Sequence, residues 1–157
     1  DIDLSKQQNV RIAYVDSRKV KSKWKLYLSY EKKSEKEETT YKNYVNQKRS
    51  ELQQKLMGFE QQAQQGLLTP NQQQQAGAEL QQDQLAIEEE MRKREEVLYQ
   101  KRNTRTADIE KKLQETVKAF AQSKGIDLVF LSPKGGAVSY AKEELDISDA
   151  IIAQLNK

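Results

Sequence analysis

Neither cysteine nor histidine occurs in this chain. The first absence removes disulfides and thiolate nucleophiles, and it leaves the redox compartment unreadable from thiols. Together they remove the commonest ligands of structural and catalytic zinc. No EF-hand spacing of carboxylates takes their place, so neither a metal nor a cofactor is expected. Catalysis is disfavoured too. No G-x-x-x-x-G-K-[ST] loop is present, PKGG at 133–136 reads only as a turn, and Glu143 and Glu144 read as a solvated surface pair. Apolar residues are scarce as well: 36% of 157 residues, against roughly 45–50% in an ordinary globular chain. The mean hydropathy is -0.97. That is too little apolar material for a spherical core. No apolar run approaches the ~20 residues of a membrane-spanning helix. The opening residues DIDLSKQQ are polar, so no export signal is visible. The charge is nearly balanced, 27 basic against 24 acidic residues. A nucleic-acid binder would show a basic stripe, so no nucleic-acid partner is expected.

Only 2 prolines and 6 glycines interrupt what remains. Glu, Lys and Gln dominate, which suits a disordered chain. Yet the apolar residues are spaced at helical intervals, which favours extended helices. Val10, Ile12 and Tyr14 alternate with Ala13 and Val15, predicting a short strand over 10–15. Asp16 or Ser17 can cap the helix that follows. A first long helix is expected from about Arg18 to about Gln65, with Val20, Trp24, Tyr27 and Leu28 on one face near its base. At ~1.5 Å per residue it would reach ~70 Å. Gly66, Thr69, Pro70 and Asn71 are stop, turn and restart signals. A second long helix is expected from about Asn71 to Lys124. Ala76, Leu80, Ile87, Met91 and Leu98 follow four- and seven-residue steps along it, and Ile109, Leu113, Val117 and Phe120 resume them. The pair reads as an antiparallel helical hairpin, its glutamine runs as solvated helix surface.

Gly125 is a C-cap candidate. IDLVFL (126–131) follows, apolar on both faces and so expected to be buried. SPKGG (132–136) is a turn, and AVSYA (137–141) is expected to return as a strand. Asp146 or Ser148 then caps a closing helix with Ile147, Ile151, Ile152 and Leu155 on its apolar face. The fold class is therefore α+β: a long antiparallel helical hairpin (coiled-coil arm) over 18–124, with its tip near 66–71. A small β body is formed from the two chain ends, 1–17 and 125–157. Three short strands are near the limit of independent stability, and their open edges invite pairing between subunits. An oligomer follows, of unspecified number. Its body is built on Val10, Ile12, Tyr14, Ile126, Leu128, Phe130, Val138 and Tyr140.

The two ends carry a family likeness. IAYVDSRKV resembles the opening strand and arm base of the Skp (OmpH-type) periplasmic chaperones. KGIDLVF resembles their second-arm exit and second strand, and AVSYAKEELDISDAIIAQLNK their last strand and closing helix. The central hairpin is similar in length and layout rather than in motifs. The resemblance implies a homotrimer whose end strands form a small barrel and whose hairpins surround a cavity. It implies an ATP-independent holdase that keeps unfolded outer-membrane proteins from aggregating. It implies a periplasmic location, with the signal peptide already removed from this chain, and possible membrane-surface or lipid contact. Family members that bind lipopolysaccharide do so through a site with no residue-by-residue match here. The better-known members of the family are strongly basic; in this chain acidic residues such as Glu88–Glu90 offset the basic patches at 91–96 and 101–105.

A holdase needs many weak, adaptable contacts, which amphipathic aromatics and flexible methionine supply. The candidate client-binding residues are Tyr30, Tyr41, Tyr44, Met57, Phe59, Leu67, Leu68 and Tyr99. Leu52, Leu56, Met91 and Leu98 belong to the same pool, but at helical spacing they are expected in the seam between the helices. One of Leu67 and Leu68 is expected to pack on the tip and the other to be exposed. The alternative is a structural or adaptor coiled coil joining envelope partners without chaperone activity. A prefoldin-like chaperone fits less well, because its β-hairpins lie between its helices.

Overall fold

The computed structural model describes residues 9–157; the opening eight residues of the expected β body lie outside them. In chain order the elements are β1 (Ile12–Asp16), α1 (Ser17–Lys23), α2 (Lys25–Gln64), α3 (Pro70–Lys124), β2 (Leu128–Ser132) and α4 (Ser148–Leu155). A 3-10 turn at Glu143–Leu145 precedes α4. Long helices, α2 and α3, form the expected hairpin, and strands from the two ends of the chain pair with each other. The chain divides into two compact units. One runs to Lys32 and resumes at Thr104–Lys157; the other is Lys33–Asn103. The division falls inside both long helices, whose basal turns belong to the first unit.

Local chemistry accounts for the helix ends. Asp16 caps α1, its carboxylate accepting from the Arg18 and Lys19 amides at 3.0 and 3.4 Å. α2 stops at Gly66, φ +67°. The Gly66 amide donates to Ala63 O and the Leu67 amide to Gln62 O, the paired bonds of a Schellman end. α3 starts from a capping box. The Gln72 amide donates to Thr69 Oγ1 at 3.3 Å, and the Thr69 amide donates to Gln72 Oε1 at 2.9 Å. Pro70 occupies the first helical position, where its missing N–H is no loss. Gly125, φ +63°, ends α3 as Gly66 ends α2, with Ile126 N–H donating to Ala121 O.

Four expectations need correction. The first long helix is not continuous. Trp24 sits in an extended conformation, φ -82° and ψ 110°, and separates α1 from α2. The side chain of Asn156, just past α4, fills the break: its Oδ1 accepts from Lys25 N–H and its Nδ2 donates to Lys23 O, both at 2.9 Å. That amide stands in for a peptide group, and it comes from the far end of the chain. Second, 137–141 is not a strand; after the turn at Gly135 the chain runs irregularly to the 3-10 turn. Third, β1 begins at Ile12, not Val10, and the sheet has two strands, β1 and β2, paired in parallel from Ile12–Leu128 to Asp16–Ser132. Among the described residues, an isolated bridge from Tyr14 to Asp146 extends it. Fourth, β2 is not buried: Leu128, Phe130 and Leu131 are exposed. Among the described residues nothing covers both apolar faces of this strand.

The core belongs to the first unit. Val15, Val20, Trp24, Ile109, Leu113, Ile151 and Ile152 form one buried cluster, with Tyr30, Val117, Phe120 and Leu155 packed against it. Ser148 is fully buried in the same unit. Its hydroxyl accepts from the Asp16 amide at 2.8 Å and donates to Asp146. The same Asp146 carboxylate accepts from the Ser148 amide at 2.8 Å, but neither Asp146 nor Ser148 holds the expected cap position: Ile147 is the N-cap of α4 and Ser148 its first helical residue.

Candidate functional site

In the second unit the segments 33–64 and 70–103 run antiparallel for about 50 Å at ~1.5 Å per residue. Seven-residue spacing brings Val45, Leu52 and Phe59 onto one face of α2, and Leu80, Ile87, Met91 and Leu98 onto one face of α3. These residues are half-buried in the seam, and none in the second unit is fully buried. Polar ties cross the same seam. Lys101 meets Glu37 at 3.2 Å, Arg102 meets Glu38, and Lys55 reaches Asp83 at 2.5 Å and Glu79 at 3.8 Å. The Arg94 guanidinium lies 3.9 Å from the centre of the Tyr44 ring.

The expected client-binding residues separate into groups. Tyr41, Tyr44 and Phe59 lie half-buried along the seam. The Tyr41 hydroxyl is held above its ordinary pKa by burial and by a hydrogen bond to Glu95. Tyr30 belongs to the first unit, where its hydroxyl donates to Asp108 at 2.8 Å. That carboxylate also accepts from Lys112 at 2.9 Å. Its pKa is lowered, by Lys112 first and Tyr30 next, while the Tyr30 pKa is raised mainly by the same bond. Met57, Leu67 and Tyr99 stand in the open, 60, 66 and 65% exposed, and Leu68 is half-buried at the tip. Leu56 is exposed, whereas Leu52, Met91 and Leu98 are in the seam as expected.

Sequence reasoning passed over Leu85 and Val97, both exposed. Their signal was phase. Leu85 falls out of step with Leu80 and Ile87, and Val97 is a neighbour of the seam residue Leu98. At 100° per residue Leu85 points away from the seam face, and Val97 falls at its edge. Leu85 and Tyr99 share the opposite side of α3, and Met57 the opposite side of α2. A groove of about 680 Å³ opens on the seam between Tyr41, Val97 and Leu98.

The residues expected to build the assembly body are also divided. Tyr14 is buried, its hydroxyl donating to Ser132 O at 3.0 Å and its pKa raised by burial, then by Asp16 and Asp146. Ile126 and Val138 are half-buried, while Val10, Ile12, Leu128 and Phe130 are exposed and Tyr140 is 81% exposed. Among the described residues no helix is long and apolar enough to cross a membrane, and no group of carboxylates could hold a metal ion.

The family model described as outer membrane protein (OmpH-like) matches residues 11–155. A solved OmpH-like structure from Caulobacter crescentus CB15 superposes with a TM-score of 0.80 at 15% identity, covering 94% of this chain and 85% of that one. No curated protein is a significant match. The solved neighbour shares the fold; the family match spans both the strand pair and the hairpin.

Proposed function

This chain belongs to the OmpH-like outer membrane protein family, which is non-enzymatic, and from that membership we propose that it is an ATP-independent periplasmic holdase. Its clients are unfolded outer-membrane β-barrel proteins. The observation that carries this reading is the second unit's surface. Met57, Leu67, Leu85, Val97 and Tyr99 are exposed at separate points along the hairpin, in groups of one to three apolar residues bounded by polar or small ones, with exposed Leu56 beside Met57. A continuous apolar face would aggregate, and a single packed pocket would select one ligand. Scattered, flexible or amphipathic side chains on a long hairpin bind many sequences weakly, and an unfolded chain touches several of them at once.

The first unit's exposed strand supports an assembly of several copies. Among the described residues β2 has one partner strand, and it exposes Leu128, Phe130 and Leu131. Such a strand invites pairing with further copies. A homotrimer would cover these side chains with those of Ile12 and Tyr140, and would surround a cavity with hairpins. The sign of the field is mixed, with a net charge of only +3, so capture rests on apolar and polar contact together with local charge.

The test is dilution of a urea-unfolded outer-membrane β-barrel protein into buffer without nucleotide, followed by light scattering. Suppression is expected near one trimer per client and is expected to persist at high salt. Absence of suppression across several clients would overturn the holdase reading in favour of an adaptor coiled coil. Sedimentation of the protein alone reports the trimer, and a monomer at micromolar concentration would refute the proposed body.

A further inference from the structure

The charge of the second unit is segregated along its length. Residues 50–88, around the tip, hold five Asp and Glu and only one basic residue, Lys55. That lysine is already tied to Asp83 and Glu79. Residues 33–49 with 89–103 hold ten Lys and Arg against seven Asp and Glu. The positive excess gathers at the groove of about 680 Å³. Lys33, Lys36, Lys93, Arg94 and Lys101 line it against Glu37 and Glu90, so five cations face two carboxylates. Its floor is apolar, made by Tyr41, Val97 and Leu98.

We propose that this groove is a docking site for acidic stretches of an unfolded polypeptide that carry an aliphatic or aromatic side chain. The proposal rests on the holdase reading and names the client segment that the hairpin prefers. The apolar side chain would cover Val97 and Leu98, and the flanking carboxylates would meet the cationic rim. Two of the cations are positioned by ion pairs, Arg94 by Glu90 at 2.9 Å and Lys101 by Glu37 at 3.2 Å. Ordering them costs little further entropy when a client binds. Lys93 contacts Glu89 at 3.7 Å and is well exposed, so it can turn to an incoming carboxylate. The acidic tip argues against an anionic membrane as the occupant, since the charge nearest the turn would be repelled from such a surface. Acidic segments would be drawn away from the tip and into the groove.

The experiment measures fluorescence anisotropy of three labelled peptides of equal length and apolar content: acidic, neutral and basic. The protein is used whole, with Lys36→Glu/Lys93→Glu as the test variant. Lys111→Glu/Lys118→Glu in the first unit makes the same change in net charge. The acidic peptide is expected to bind the wild type most tightly and to lose about tenfold or more in affinity with the groove variant. The control variant is expected to change it less than about twofold. Circular dichroism checks that both variants fold; if the groove variant does not, Val97→Asp replaces it and the same loss is expected. Equal affinity of all three peptides, or equal loss with both variants, overturns the groove. Anionic phospholipid vesicles that displace the acidic peptide and lose binding with the same groove variant would instead assign the site to a lipid headgroup. If the wild type suppresses aggregation while the peptides are not distinguished, the holdase reading stands and this proposal fails.

Discussion

The two units of this chain are held together by different physics. Among the described residues, all nine buried apolar ones, from Ala13 to Ile152, lie in the first unit. The second unit has a longer run of helix and buries none of its residues. Its order comes from helix propensity, from the end caps at Gly66 and Thr69, and from cross-seam pairs such as Lys55–Asp83. Exposed pairs of that kind contribute ~0–1 kcal/mol each. A hairpin built this way keeps its helices and yields in how closely they lie, because no side chain is locked between them. A surface that must accept varied partners needs that property, and a fully packed seam would remove it.

Truncation in each unit tests the contrast most severely. Trp24 is 1% exposed, and it fills the centre of the first unit's core. Trp24→Ala is expected to cost about 3–5 kcal/mol, the range for losing a large buried side chain. Leu52 is half-buried in the seam. Leu52→Ala is expected to cost about 1 kcal/mol, roughly half of full leucine burial. Urea unfolding followed by circular dichroism measures both at matched protein concentration. Equal losses would mean that the seam is a core and that the contrast is false.

A smaller effect separates the helix break from the helices around it. Asn156→Ala removes the amide that serves both Lys25 N–H and Lys23 O. The cost is expected at about 1–2 kcal/mol, two hydrogen bonds at a site that water can reach. Asn156→Asp keeps an acceptor for Lys25 but has no donor for Lys23, so it should fall between alanine and wild type. Amide exchange should quicken over the first turn of α2 and stay unchanged near the tip. Exchange that quickened equally along the whole hairpin would show that the break and the second unit open together.

What the sequence revealed divides along the same line. The helix ends were legible because their signals are local: Asp16, Gly66, Thr69, Pro70 and Gly125 each act on residues within one turn. Tyr14, Val20, Ile109 and Leu113 were placed by periodicity, and all are buried. The break at Trp24 was not legible. Its neighbours are good helix formers, and the group that stabilises the break lies 131 residues from Lys25 in sequence. The return strand at 137–141 failed for a related reason. Its alternation is real, but no described residue pairs with it and Tyr140 faces solvent. Among the proposed client contacts, residue type alone could not separate Tyr41 and Tyr44 in the seam from Met57 and Tyr99 in the open. Helical phase separates Met57 from the seam, and it also points to Leu85.

Acid and salt give the weakest lever and sharpen the contrast from the other side. With no histidine and no cysteine in the chain, no side chain has an ordinary pKa between about 5 and 9. Stability should therefore be flat across that window. The carboxylates of Asp108 and Asp149 in the first unit and of Glu51 and Glu89 in the second are held below their ordinary values, each by a hydrogen bond from a neighbouring lysine or arginine. A depressed carboxylate stabilises the fold above its unfolded pKa, here 3.8 for Asp and 4.5 for Glu, and the contribution is lost as pH falls through the lower folded value. Lys19, Lys48, Lys55 and Lys112 are raised above 10.5 by the same kind of bond. Their contribution is complete below that value and is lost as pH rises through the higher folded one. Thermal melts should thus fall away only at the two extremes. Added salt at neutral pH should shift exchange rates in the second unit, where charged pairs cross the seam, more than in the first, where the apolar cluster is indifferent to screening. Equal sensitivity of the two units would show that ion pairs hold the body as much as the hairpin.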